Sequence, residues 1–123
     1  NTPPVFSIYV SMLTLKWIKQ NGGIICMEEK NHKKSQKIYN EIDRNPLFFG
    51  LVNKDDRSIM NATFKLKDES LKTKFDKMCD DAGISGITGH RSAGGYRASM
   101  YNALQIESVN ILVEIMKTLE QKS

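Results

Sequence analysis

SIMNATFKL, residues 58–66, alternates strictly: Met60, Ala62, Phe64 and Leu66 fall to one side and Ile59, Asn61, Thr63 and Lys65 to the other. Successive side chains of a strand point to opposite faces, so this stretch predicts a half-buried strand with its apolar side on a core. Downstream, YRASMYN (96–102) repeats the pattern, with Tyr96, Ala98 and Met100 on one face and Arg97, Ser99 and Tyr101 on the other. Upstream, LFFGLV (47–52) is short, apolar and aromatic, as a strand or packed connection would be. ISGIT (84–88) is a further short strand candidate.

Helical periods surround these strands. Phe6, Val10, Leu13 and Trp17 recur at helical spacing up to Asn21-Gly22-Gly23. From Ile24 to about Arg44 a longer helix carries Ile24, Met27, Ile38 and Ile42, and its polar middle, MEEKNHKKSQK, predicts one broad solvated face. Asn45-Pro46 ends it, because proline disfavours the helical region for the residue before it. Asp68 is a candidate N-cap for a helix bearing Leu71, Phe75, Met78 and Ala82 and closed by Gly83. From Ile106 to about Leu119, Val109, Leu112, Val113, Met116 and Leu119 form a last stripe. Aromatic and methionine side chains at these spacings are expected in the core. The predicted class is α+β, a small mixed or antiparallel sheet covered by helices, with the helices of 5–44 partly outside that unit.

With 123 residues, 40% of them hydrophobic and 26% charged, the chain has the makings of one soluble domain with a single core. No apolar run approaches the roughly 18 residues of a membrane span. The net charge of +4 is spread along helices and interleaved with acids, which argues against a nucleic-acid surface. Cys26 and Cys79 stand apart with no CxxC pair, so neither a metal site nor a redox dithiol is predicted. Two reduced thiols, both expected to be buried, fit a cytoplasmic protein. The opening NTPPVF has neither an initiator methionine nor a signal-peptide pattern, and reads as part of a longer polypeptide.

Candidate chemistry concentrates in GHRSAGGYRAS, residues 89–99. His90, Arg91 and Arg97 can all face an anion, and an arginine fork holds carboxylate or phosphate through two parallel charge-assisted bonds. Gly94 and Gly95 let the chain fold back, so a loop bearing His90 and Arg91 and a strand bearing Arg97 can address opposite ends of one small molecule. Spacing alone leaves open a solvated basic turn, the commoner fate of a charge run. The GK[ST] ending of a phosphate loop and a GxGxxG turn are both missing. His32 sits among lysines with nothing to orient it; Ser92 and Ser99 lack a recognisable base in sequence, and a triad would need a second histidine that could only be His32, so hydrolase chemistry is not predicted.

GHRSAGGYRASMYNALQIESV closely resembles the C-terminal portion of phosphoserine aminotransferases, pyridoxal-phosphate enzymes of serine biosynthesis; NTPPVFSIYV and DRSIMNATFKL resemble two further segments of that family in the same order. The likeness spans the chain. It implies the small C-terminal domain of a fold-type-I aminotransferase, a homodimer with a large cofactor domain. Residues 1–44 would then be a helical segment leading from that large domain and 45–123 the small α/β domain. The resemblance further implies that His90 and Arg91 bind the phosphate of phosphoserine and that Arg97 binds the substrate's α-carboxylate. Asn1 and Thr2 are implied to contact the phosphate of pyridoxal phosphate in the neighbouring subunit, roles that an amide and a hydroxyl can serve.

The family's Schiff-base lysine, ring-stacking aromatic and pyridinium-binding aspartate lie upstream of this stretch, and no lysine here matches the surroundings of the first. The implied reaction, amino transfer between glutamate and 3-phosphohydroxypyruvate, therefore belongs to a longer parent, and this piece is expected to be inactive alone. The competing expectations are a non-catalytic small-anion-binding module and a basic nucleic-acid binder whose affinity would fall steeply with salt.

Overall fold

A computed structural model describes residues 2–89 and 94–123. Helix α1 (Val5–Gln20) is followed by α2 (Gly23–Arg44) and by strands β1 (Phe48–Gly50) and β2 (Asn61–Leu66). Helix α3 (Lys72–Asp81) separates these from β3 (Tyr96–Ser99), and α4 (Ile106–Gln121) comes last. The three strands form one sheet in the order β1-β2-β3, antiparallel throughout.

The alternation over 58–66 sets which face is buried. Ala62, Phe64 and Leu66 point into the core. The register sets Phe48 opposite Leu66 and Phe64 opposite Tyr96, so four large side chains share one face. Phe75 of α3 packs onto them, 4.9 Å from the Tyr96 ring and 5.3 Å from that of Phe48, both edge to face, the arrangement aromatic quadrupoles favour. Val109, Leu112, Met116 and Leu119 of α4 and Ile38 and Ile42 of α2 complete the core. The other sheet face carries Phe49, Asn61, Thr63, Lys65, Arg97 and Ser99, none of them buried.

Four expectations need correction. Residues 84–87 of ISGIT form no strand: Gly86 takes φ +68°, outside the extended region, and Thr88 alone makes an isolated bridge to Tyr96. The helix expected from Asp68 begins later, since Asp68 caps a short 3-10 turn (Glu69–Leu71) by accepting from the Ser70 N–H at 2.9 Å. On α1 no residue is buried, so the expected core packing of Phe6, Val10 and Leu13 is not realised; Phe6 is 79% exposed. Apolar residues run all round that helix, from Val5 and Ile8 to Met12 and Leu15, and it packs chiefly on α2. Ile24 is likewise exposed, and Cys26 is only partly buried where Cys79 is fully so.

The fourth correction concerns the polar middle of α2, which is not a solvated face throughout. Asn31, Lys34 and Ser35 are buried because the segment following β3 lies across them. The Lys34 ammonium donates to the carbonyls of Met100, Tyr101 and Leu104 at 2.9, 2.8 and 3.2 Å. Asn31 Nδ2 donates to Asn102 Oδ1 at 2.8 Å. Among the described residues no helix is long and apolar enough to cross a membrane.

Candidate functional site

Strand β3 holds Arg97 between fixed neighbours. Tyr96 is buried between Phe64 and Phe75, and its phenol donates to Asp76 Oδ1 at 2.8 Å. Burial, reinforced by the Asp76 carboxylate, pushes the Tyr96 hydroxyl well above its ordinary range, so it stays a neutral donor. On the other side of the pleat, Arg97 pairs with Thr63 across the ladder to β2, and its own N–H donates to the Ile87 carbonyl at 2.7 Å. The backbone beneath Arg97 is therefore bonded on both edges while the side chain is exposed on the open sheet face.

The described arginines differ in one respect. Arg44 is held by Glu41 and Glu120 and Arg57 by Asp43. The Arg97 guanidinium has no hydrogen-bond or ion-pair partner among the described residues. Beside it opens a mostly apolar cleft of about 320 Å³, bordered by Ile84, Ile87, Met100 and Leu112, with Ser99 and Ser108 as polar lining.

The loop ahead of β3 is closed at its base. The Gly89 N–H donates to the Gly95 carbonyl at 2.8 Å. A Cβ on Gly89 would collide with the Gly94 carbonyl oxygen, and one on Gly95, where φ is +67°, would lie 2.5 Å from Lys65 Cγ and 2.7 Å from the Phe64 carbonyl oxygen. Glycine is what lets the two ends of the loop and the neighbouring strand come this close. His90 and Arg91 themselves lie outside the described residues, as does Asn1. Thr2 is exposed ahead of α1, whose main packing partner is α2 rather than the sheet.

The fold thus brings Arg97 together with the base of the loop that carries His90 and Arg91. It also adds Lys65, which spacing had placed on the polar side of β2 without assigning it a role. The signal was there: Lys65 and Arg97 both fall on the polar phase of their strands. Lys34 had no such signal, because its three carbonyl partners lie 66 or more residues away in sequence.

The aminotransferase class-V family profile matches residues 1–112. The chain is 60% identical over 122 residues to the phosphoserine aminotransferase of Flavobacterium psychrophilum, covering 99% of this chain and 34% of that protein. It is 52% identical over 124 residues to the one from Porphyromonas gingivalis, again covering 34% of it. Among solved structures, the phosphoserine aminotransferase of Bacillus circulans subsp. alkalophilus superposes with a TM-score of 0.92 at 43% identity, covering 99% of this chain and 34% of that one. A pyridoxal-phosphate-bound phosphoserine aminotransferase from Trichomonas vaginalis gives 0.86 at 40% identity, covering 95% and 34%. The chain therefore spans about a third of the length of the relatives it matches.

Proposed function

The chain belongs to the aminotransferase class-V family, and from that premise we propose that it is the substrate-gripping C-terminal third of a phosphoserine aminotransferase. The observation that carries the proposal is the Arg97 guanidinium, without an ion-pair partner among the described residues and held on a doubly bonded strand next to a glycine-closed loop whose sequence supplies His90 and Arg91. Arg97 forks the α-carboxylate that phosphoserine and glutamate share. His90 and Arg91 take the phosphate, which only the first substrate carries. An unphosphorylated serine would leave those donors unpaired, and unpaired donors reject a ligand strongly.

The parent's cofactor is pyridoxal phosphate, which when bound supplies an electron sink. This chain's share of its site is small. Thr2 presents an exposed hydroxyl, and Asn1 an amide, both able to donate to phosphate oxygens. Lys34 is the one described lysine withdrawn from water, and its ammonium is already committed to three carbonyls, so the cofactor's lysine is assigned to the rest of the parent. On this reading the parent is a cytoplasmic homodimer, Asn1 and Thr2 reach the neighbouring subunit's cofactor, and residues 1–44 link the large domain to the small domain of 45–123.

The test is a pair of substitutions in the intact enzyme. Arg91→Ala raises the KM for phosphoserine far more than that for glutamate, whereas Arg97→Ala lowers kcat/KM for both. Equal losses for the two substrates in Arg91→Ala would overturn the assignment of the phosphate end.

A further inference from the structure

On the open sheet face, two cations stand on adjacent strands, and no described residue of that face is acidic. Continuing the β2–β3 register one residue past Phe64 and Tyr96 sets Lys65 opposite Gly95. Arg97 lies opposite Thr63, two residues along β2 from Lys65 and on the same side of the pleat. Such diagonal neighbours are roughly 7–8 Å apart, within reach of long side chains. The other residues of that face are Phe49, Asn61, Thr63 and Ser99, none acidic, and the sequence of residues 90–93 contains no acid either.

The Lys65 side chain has a direction. Its Cγ lies 2.5 Å from where a Cβ on Gly95 would stand, its Cε 3.2 Å from that same point, and its Nζ 3.8 Å from where a Cβ on Gly94 would stand. The stem therefore runs across Gly95 toward Gly94, and delivers the ammonium to the base of the loop rather than straight out into solvent. Gly95 makes this path possible, because any side chain there would occupy the space of the stem. Among the described residues the Lys65 ammonium has no ion-pair or hydrogen-bond partner.

We propose that Lys65 is a further anion-binding group of the substrate site, a specificity-determining residue whose ammonium contacts the phosphate end of the amino-acid substrate while Arg97 holds the carboxylate end. This rests on the reading of the chain as part of a phosphoserine aminotransferase. It goes beyond that reading by adding to the loop residues a charge supplied from the neighbouring strand. Lys65 belongs to the same sheet as Arg97, so it refers the phosphate end to the strand that holds the carboxylate end.

The experiment compares Lys65→Met and Lys65→Arg in the intact enzyme. Methionine keeps an unbranched stem over the glycines and removes the charge; arginine restores a charge. Lys65→Met is expected to raise the KM for phosphoserine by about 10- to 100-fold, the loss of one hydrogen bond to a charged group, with a smaller loss for glutamate, whose side-chain carboxylate carries less charge than a phosphate. Lys65→Arg recovers most of the loss. The inhibition constant of inorganic phosphate should rise in Lys65→Met alongside the KM for phosphoserine. An unchanged phosphoserine KM in Lys65→Met, or equal losses for both substrates that Lys65→Arg does not rescue, would overturn the proposal and leave Lys65 a packing residue. If the wild-type enzyme fails to turn over phosphoserine, the functional reading itself fails. Calorimetric binding of inorganic phosphate to wild type and Lys65→Met then decides the Lys65 assignment separately, equal affinity overturning it.

Discussion

Lys34→Met isolates one polar anchor of the site's support. The ammonium ties α2 to the segment that leaves β3 three residues beyond Arg97, through the carbonyls of Met100, Tyr101 and Leu104. Methionine has nearly the same reach and no donor, so the substitution removes bonds without opening a cavity. The Met100 carbonyl bond is buried, while those to Tyr101 and Leu104 are only partly so. Water can replace the amine at the last two but not at the first, and an orphaned buried acceptor costs about 1–3 kcal/mol. Against this stands relief of the charge's desolvation, the same effect that lowers the Lys34 pKa from its ordinary value. No carboxylate neutralises Lys34 among the described residues, so the relief is real, and the net destabilisation expected is about 1–2 kcal/mol.

That effect should be local. Native-state hydrogen exchange of the intact protein reads it at the Met100 N–H, which donates to the Met60 carbonyl, and at the Leu104 N–H, which donates to that of Tyr101. A shift of 1–2 kcal/mol speeds their exchange by roughly 5- to 30-fold if they open by a local route. The Cys79 and Phe75 amides of α3, on the far side of the aromatic cluster, serve as the control and should change little. Unchanged or slowed exchange over residues 97–105 would refute the reasoning, because it would mean that desolvation outweighs the three carbonyls and Lys34 is tolerated rather than useful.

Three further outcomes follow from particular contacts. Gly83 and Gly95 both take positive φ, +75° and +67°, but a Cβ meets nothing within 4 Å at Gly83 and collides with Lys65 and the Phe64 carbonyl at Gly95. Gly83→Ala should therefore cost about 1–2 kcal/mol of backbone strain and Gly95→Ala about 1–3 more, read as thermal midpoints of the intact protein; equal losses would show that the close approach is unimportant. Asp43 accepts two bonds from Arg57 at 2.7 and 2.9 Å, which together with Lys54 hold its carboxyl below its ordinary value against an opposing push from burial. A depressed carboxylate stabilises the fold above its unfolded value of about 3.9 and loses that contribution as pH falls through the folded value. Asp43→Asn should thus lower the midpoint at pH 7 by an amount equivalent to about 1 kcal/mol, and the gap to wild type should close in acid; a gap independent of pH would sink the assignment. Burial, with Asp76 and Asp80 behind it, pushes the Cys79 thiol up to about 11, so in the native protein Cys26 should react with a thiol reagent at pH 8 while Cys79 waits for unfolding or for a pH near that value. Equal rates would contradict this.

What the residues reveal in advance depends on how local the cause is. Strand β2 and the buried face of β3 follow from a period of two that requires no knowledge of the partner, and the α4 stripe follows from a period of 3.6 in the same way. ISGIT has the composition of a strand, yet a single glycine at positive φ turns it, and nothing around Gly86 announces that angle. Lys34 sits in a run of lysines and glutamates that looks solvated, and its burial is decided by carbonyls that arrive only after the sheet and α3 have formed. Hydrophobicity in α1 signals that something covers it without saying what: a helix apolar on every side has no stripe to aim, and its exposed Phe6, Ile8, Tyr9 and Leu15 face nothing within the described residues.

The same distinction separates the two ends of the proposed grip. Arg97 is legible because a strand fixes its direction: once Tyr96 is assigned to the core, pleating alone sends Arg97 to the other face, and the aromatic cluster under Tyr96 makes that orientation stiff. The phosphate end has no such rule, since a loop's direction is set by what closes it. Here the closure is the Gly89–Gly95 hydrogen bond and the lysine stem laid across Gly95, contacts from two strands that no pattern within residues 89–95 could foretell. A site meant to measure the distance between a carboxylate and a phosphate needs both ends referred to one rigid body. On the proposed assignment, Lys65 and Arg97 on adjacent strands of one sheet supply that reference.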